Sequence, residues 1–469
     1  MNQTATYQKW IFIVFPALAM MLGWGLRGHI GGGPFGAMIP GAMVAICLGL
    51  LLEMPVAAIS ALTVFGVVGI GLGGEMTYGQ TLGFLRNPET VWWGTAGTTV
   101  KGAVWGLLGG AVLALGFFFD KIPKKTIIVA FLLMMAGMIA GFKLINDPMI
   151  LYFSDPEKPR PESWAALLFG AFALLLFLKY KTDRNVFKII SRFVIWGIIG
   201  GGLGFGLGGF WMVLGSNLPD VIFTNWWKAM EFTFGLLFGA SLGYASWLSR
   251  NEFAVQNWKE YELHITEKYP AWKELGIVLT TGLLIFWLIP STIEMFTKTA
   301  IDNNMPGGTI RNEIARMADN YAITGFIFIL VLMRFPRVAW QLGITLTFCH
   351  AAIDLVRDFY PGANTFSPFT MHFFWVLLMT AVVAFLVNRF SRKEKSVINL
   401  LLVLIWSCVV VSFLRMGIDP KTLNIDGLSF CQIVCGKFIV DVFFVVSAVV
   451  VSWILLRRFN INKESFLRS

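Results

Sequence analysis

Residues 442–456 read VFFVVSAVVVSWILL, a stretch without a single charge, and Arg457-Arg458 follow at once. No side of it is marked for water. With its flanks it reaches the roughly 20 apolar residues that a helix needs to cross a bilayer core. Ile277–Ile289 and the neighbourhood of Val382–Val387 repeat the pattern. Strands of a membrane barrel would instead alternate apolar and polar positions over about 10 residues, and these segments are apolar all round. Working outward, the 469-residue chain is 57% hydrophobic and 14% charged, with mean hydropathy +0.71. Soluble domains carry roughly 25% charged residues, so the composition alone points to lipid as the solvent.

The reading is an all-α polytopic membrane protein with about fourteen transmembrane helices. They fall at 10–27, 37–52, 55–74, 94–119, 126–145, 163–179, 189–209, 226–248, 275–295, 318–333, 337–357, 371–389, 396–415 and 432–456. The net charge of +10 is not gathered on one surface, as nucleic-acid binding requires. It sits in clusters such as Lys121/Lys124/Lys125, Lys179/Lys181/Arg184, Arg389/Arg392/Lys393 and Arg457/Arg458, all on one side of the proposed membrane. The loops between them, around Asp155–Glu162, Asp220, Asp302 and Asp419–Asp426, are acidic or neutral. By the positive-inside rule both termini are then cytoplasmic and the chain is a multi-pass protein of the inner (plasma) membrane. Trp10–Ala19 after Lys9 resembles a short secretory signal, but the apolar run continues to Leu26 and is expected to stay as the first span.

Three domains follow: an eight-span region 1–250, a cytoplasmic linker 251–274 with the makings of an interfacial amphipathic helix, and a six-span region 275–469. The first region carries an internal repeat of glycine-rich helical hairpins. Rising helices end in Gly23-Trp-Gly-Leu-Arg-Gly28, Gly69-Ile-Gly-Leu-Gly-Gly74 and Gly204-Phe-Gly-Leu-Gly-Gly209, with Ala136–Gly141 a weaker copy. Their descending partners carry Gly36–Gly41, Gly106–Gly110, Leu168–Gly170 and Gly235–Gly239. An even number of spans separates the copies, so the repeat is parallel.

Small residues let helices approach closely in lipid, which explains most of these glycines by packing. The run Gly25–Gly33 followed by Pro34 is different, because such a sequence resists helix and a broken backbone at membrane depth requires protein or water around it. It lacks the preceding strand and the Gly-Lys-Ser/Thr of a phosphate loop. Charges inside spans are functional candidates. Arg27, His29, Glu75 and Lys143 follow the glycine clusters, Lys101 lies about two turns into a descending helix, and Lys228 and Glu231 open another. Glu294, the set His350, Asp354, Arg357 and Asp358, and His372 fall at the same outer level, while Asp441 is an exception near mid-depth. A pairing of Arg27 or Lys101 with Glu75 would satisfy these charges without a ligand.

The functional expectation is a secondary transporter of a small anionic or sugar-like solute. Its substrate site would draw on broken helix ends with Arg27, His29, Glu75, Lys101, Trp24, Glu231 and Arg357. The alternative is a membrane-embedded transferase or hydrolase acting on a lipid-linked or cell-envelope substrate, with His350 as base oriented by Asp354. The residues set out no metal or cofactor site, and the five cysteines are expected to be apolar packing. Membrane lipid is the expected partner, nucleic acid is not, and a homo-oligomer is compatible with the pattern.

Overall fold

The computed structural model describes residues 7–30, 32–155, 157, 162–218, 225–255, 270–289, 292, 321–336, 338, 341, 343–346, 376–391, 395–418 and 425–459. Among these there is no strand. The helices are α1 (Lys9–Arg27), α2 (Gly33–Leu51), α3 (Val56–Gly73), the short α4 (Gly79–Phe84), α5 (Val91–Gly116), α6 (Lys124–Gly141) and α7 (Trp164–Lys181). They continue with α8 (Arg184–Asn217), α9 (Trp226–Ala254), α10 (Ala271–Leu283), α11 (Tyr321–Arg334), α12 (Val376–Ser391), α13 (Ser396–Ile418) and α14 (Ile439–Phe459).

Nine helices among the described residues are long and apolar enough to cross a membrane. A helical membrane protein is therefore the architecture. The long α9 is not among the nine, since the 18 uncharged residues between Glu231 and Arg250 are rich in Gly and Ser, include Tyr and Trp, and are only moderately apolar. The stretch that opened the sequence argument lies in α14. There Val442, Val446, Val450 and Trp453 face outward while Phe444, Ala448, Val451 and Leu455 are buried. On α8, Ile195, Ile199, Leu203, Leu207 and Leu214 form a second exposed apolar stripe. Such faces suit lipid and not water.

The first nine helices hold the core. α1, α2, α3, α5, α8 and α9 close a ring in that order, each packed on the next and α9 returning to α1. The α6–α7 hairpin lies against α5 through α7, α11 against α3, and α13 and α14 against α1. Aromatic side chains fill the inside of the ring. Trp24 meets Phe234 at 4.4 Å and Trp105 at 4.9 Å, both edge to face, and Phe205 lies 5.0 Å from Phe234.

Glycine sets the tightest seam of that ring. A Cβ on Gly106 of α5 would fall inside the van der Waals shell of the Gly197 carbonyl oxygen on α8, and one on Gly102 would meet Gly201 the same way. Gly106→Ala is therefore expected to lower thermal stability of the detergent-solubilised protein by about 1–3 kcal/mol, the usual cost of overpacking. Gly276→Ala on the open face of α10, where a Cβ meets nothing within 4 Å, is expected to be neutral or slightly stabilising.

The cysteines divide. Cys47 and Cys408 are buried, as packing residues should be, but Cys431 and Cys435 are exposed with their sulfurs 3.9 Å apart. The expectation that all were packing residues is corrected for these two, because the π-helical turn Gln432–Lys437, which Cys431 precedes and which contains Cys435, leaves both at the surface. In a Cys349→Ser background, a polar maleimide added to the solubilised protein is expected to label Cys431 and Cys435 and to spare Cys47 and Cys408. Cys349 itself, and residues 256–269 of the linker, lie outside the described residues.

Candidate functional site

Arg27 ends α1 and is only 2% exposed. α1 stops there because Gly28 and the turn to Ile30 follow, and α2 restarts only at Gly33 with Pro34 in its first turn. Gly32 (φ 80°) and Gly33 (φ 65°) both take left-handed backbone, which only glycine adopts freely. The helix thus continues through Gly25 to Arg27, and the break is narrower than the glycine run predicts. Gly36 on the first turn of α2 leaves room for the Arg27 side chain, whose Cγ would stand 2.9 Å from a Cβ there.

Aromatic rings surround the guanidinium. Its Cζ lies 5.3 Å from the ring centroids of Tyr78 and Trp105 and 5.6 Å from that of Trp24. Arg27 Nε donates to the Gly33 carbonyl at 3.4 Å and Nη1 donates to the Tyr78 hydroxyl. Trp105 is fixed by donating Nε1–H to the Ile70 carbonyl at 2.8 Å. Tyr78 stacks on Trp227, whose indole N–H binds Glu231 at 3.0 Å. No carboxylate among the described residues lies within ion-pair distance of Arg27, and none of them accepts from Nη2.

The other expected charges are held by protein. Lys228 and Glu231, 3% and 1% exposed, pair at 2.7 Å, and Lys228 also donates to the Gly25 carbonyl at 2.8 Å. That carbonyl belongs to the last turn of α1, so Lys228 caps a helix end whose own N–H donors have run out. Lys101 gives its three protons to Thr77 O at 2.7 Å, Thr81 Oγ1 at 2.8 Å and Glu162 Oε1 at 2.8 Å. Its partner is thus Glu162, which the sequence places among loop acids, and not Glu75. Glu162 in turn accepts from Phe153 N and Ser154 Oγ. Glu75 accepts the Tyr321 backbone N–H at 2.6 Å at the start of α11.

His29 stands in the turn after α1, with Nε2 at 3.4 Å from Ser412 Oγ on α13. Ser412 donates to Asp441 Oδ1 on α14 at 2.6 Å. Of the expected site residues, the structure brings together Arg27 and Trp24, with Glu231 in the adjoining wall; it places Lys101 and Glu75 in contacts of their own. His350, Asp354 and Arg357 lie outside the described residues.

No family model matches the chain, and no curated protein or solved structure matches it. What the chain does must be argued from these contacts. Tyr78 and Trp105 were missed by the sequence reading, although Trp105 immediately precedes the Gly106–Gly110 cluster. Tyr78 carries no comparable signal, because only closure of the ring brings it over Arg27.

Proposed function

We propose that this protein is a secondary transporter of a small anionic solute, which binds at Arg27. One observation carries the reading: an arginine only 2% exposed, its guanidinium in an aromatic enclosure with no carboxylate in ion-pair range among the described residues. Cations inside a membrane protein are costly unless they are paired or serve a ligand. Trp24, Tyr78 and Trp105 lie within cation–π distance of the guanidinium, and Nε and Nη1 are taken by Gly33 O and Tyr78 Oη. Nη2, without an acceptor among the described residues, is left for a carboxylate or phosphate oxygen. The left-handed break at Gly32–Gly33 lies beside it, and a Cβ on Gly33 would meet nothing within 4 Å. Open space adjoins the site there.

The finer organisation belongs to the same proposal: about fourteen spans, both termini cytoplasmic, an inner-membrane location and a parallel repeat of hairpins. The ring of α1–α2, α3–α5 and α8–α9 supports the repeat, since it is three of the four hairpins set side by side. In that alignment Trp24, Ile70 and Phe205 are equivalent, and Arg27 stands where the other copies have Gly73 and Gly208. A pseudo-symmetric ring with one arginine makes one anion site.

The test is uptake into proteoliposomes of a panel of labelled anions covering monocarboxylates, dicarboxylates and inorganic phosphate, with neutral sugars in parallel. Uptake of at least one anion, competed by its unlabelled form, is expected. Sugar uptake alone, or none by protein shown to be folded, would sink the proposal.

A further inference from the structure

Asp441 is the buried acid that the Arg27 site does not use. It lies in the first turn of α14, 7% exposed, on a helix that packs on α13 and α1. Among the described residues its carboxylate has one side-chain partner, the Ser412 hydroxyl at 2.6 Å. The charged groups on the elements around it are Arg27 on α1, Lys228 and Glu231 on α9 and Arg415 on α13. Lys228 is committed to Glu231 and Gly25. A carboxyl in a span with one hydroxyl for company is satisfied by a proton or by a bound cation.

The hydrogen-bond chain gives a proton a route. A serine hydroxyl has one proton to give. With that proton on Asp441, the 3.4 Å contact between Ser412 Oγ and His29 Nε2 requires His29 to be the donor. Reversing the polarity gives the other state: protonated Asp441 donates to Ser412, and Ser412 donates to a bare Nε2. The two states interconvert by a balanced shift: a proton arriving at His29 Nδ1 makes the imidazolium, which gives Nε2–H to Ser412 as Ser412 passes its own proton to Asp441, leaving His29 neutral with its proton on Nδ1. His29 is only half-buried, so protons can enter at that end.

We infer that His29, Ser412 and Asp441 form a proton relay in which Asp441 holds the proton. The relay also touches the Arg27 site, and this second part rests on the anion-transport reading above. His29 donates its backbone N–H to Leu26 O at 2.8 Å, and Gly32 donates to Arg27 O at 3.1 Å, so one turn carries both His29 and the guanidinium. An anion arriving at Arg27 makes the neighbourhood more negative and favours the proton on Asp441. Linkage makes the effect mutual, and the pair becomes a proton–anion symport device.

The experiment is pH-titrated infrared difference spectroscopy on the full chain in nanodiscs. A protonated-carboxyl band that disappears at alkaline pH is expected in the wild type, absent in Asp441→Asn and displaced in frequency in Ser412→Ala. Should Asp441→Asn fail to fold, the Ser412→Ala displacement decides. A band untouched by both substitutions overturns the relay, as does a carboxylate signature that answers to sodium ions and not to pH. In a second arm, inorganic phosphate or acetate is added to lightly buffered protein with a pH dye; binding with proton uptake in the wild type and none in Asp441→Asn is expected. Binding without proton uptake overturns the coupling. If neither probe binds, the anion reading loses support while the infrared result still decides the relay.

Discussion

Arg27→Gln is expected to abolish anion uptake while leaving the unliganded protein as stable as the wild type, or more so. The two effects point in opposite directions because the guanidinium has no carboxylate partner among the described residues. A charge-assisted hydrogen bond to a ligand is worth about 1.5–3 kcal/mol, so its loss weakens binding roughly 10- to 150-fold. Against this, an arginine costs roughly 2.5–3.5 kcal/mol on insertion scales at the centre of a span, an upper bound for Arg27 at the end of α1. Its hydrogen bonds to Gly33 O and Tyr78 Oη, at about 0.6 kcal/mol each between membrane helices, and a cation–π contribution of about 1 kcal/mol offset most of that cost. Arg27→Lys keeps the charge but loses the flat face between the rings and the forked edge, so an intermediate loss of affinity is expected. Melting temperature and uptake measured on the same preparations separate the possibilities. A variant that melts much lower and still transports would make Arg27 a structural cation and end the proposal.

The chain's solvent was legible from composition, since stretches such as 442–456 leave a helix no polar face. The break between α1 and α2 was legible too, because glycine and proline act locally. Partnerships were not. Lys101 and Glu162 stand 61 residues apart, and nothing in either segment announces the other. The same holds for Tyr78 over Arg27, 51 residues away, and for Ser412 between Asp441 and His29. Asp441 was visible as an acid at the wrong depth, but its meaning needed α13 and α14 laid against α1. In α9 the sequence places Lys228 and Glu231 in the first turns of a span but not their partners: they neutralise each other one turn apart, and Lys228 also caps the end of α1.

Breaking the Lys101–Glu162 pair is expected to have the second largest effect, and through stability first. Both side chains are at most 2% exposed, and the ion pair is 2.8 Å long. Removing one member of such a pair leaves a buried charge without compensation and typically costs about 3–5 kcal/mol. Glu162→Gln is expected to show that loss in thermal unfolding, because Lys101 is left with neutral acceptors alone and no counter-charge. The double variant Lys101→Met/Glu162→Leu removes both charges, and its stability is expected to recover most of the way, as apolar replacements of buried pairs often do. Had Lys101 been a substrate cation, Lys101→Met would instead lower affinity without lowering the melting temperature, and no partner substitution would rescue it. The pair also reaches the site indirectly. Thr77 and Thr81, which Lys101 holds, flank Tyr78, so Glu162→Gln is expected to loosen the ring that covers Arg27 and to reduce affinity along with stability. In the double variant stability recovers but Tyr78 is no longer tethered, so affinity is expected to stay below the wild type. That split separates a residue that positions Tyr78 from one that only holds the fold together.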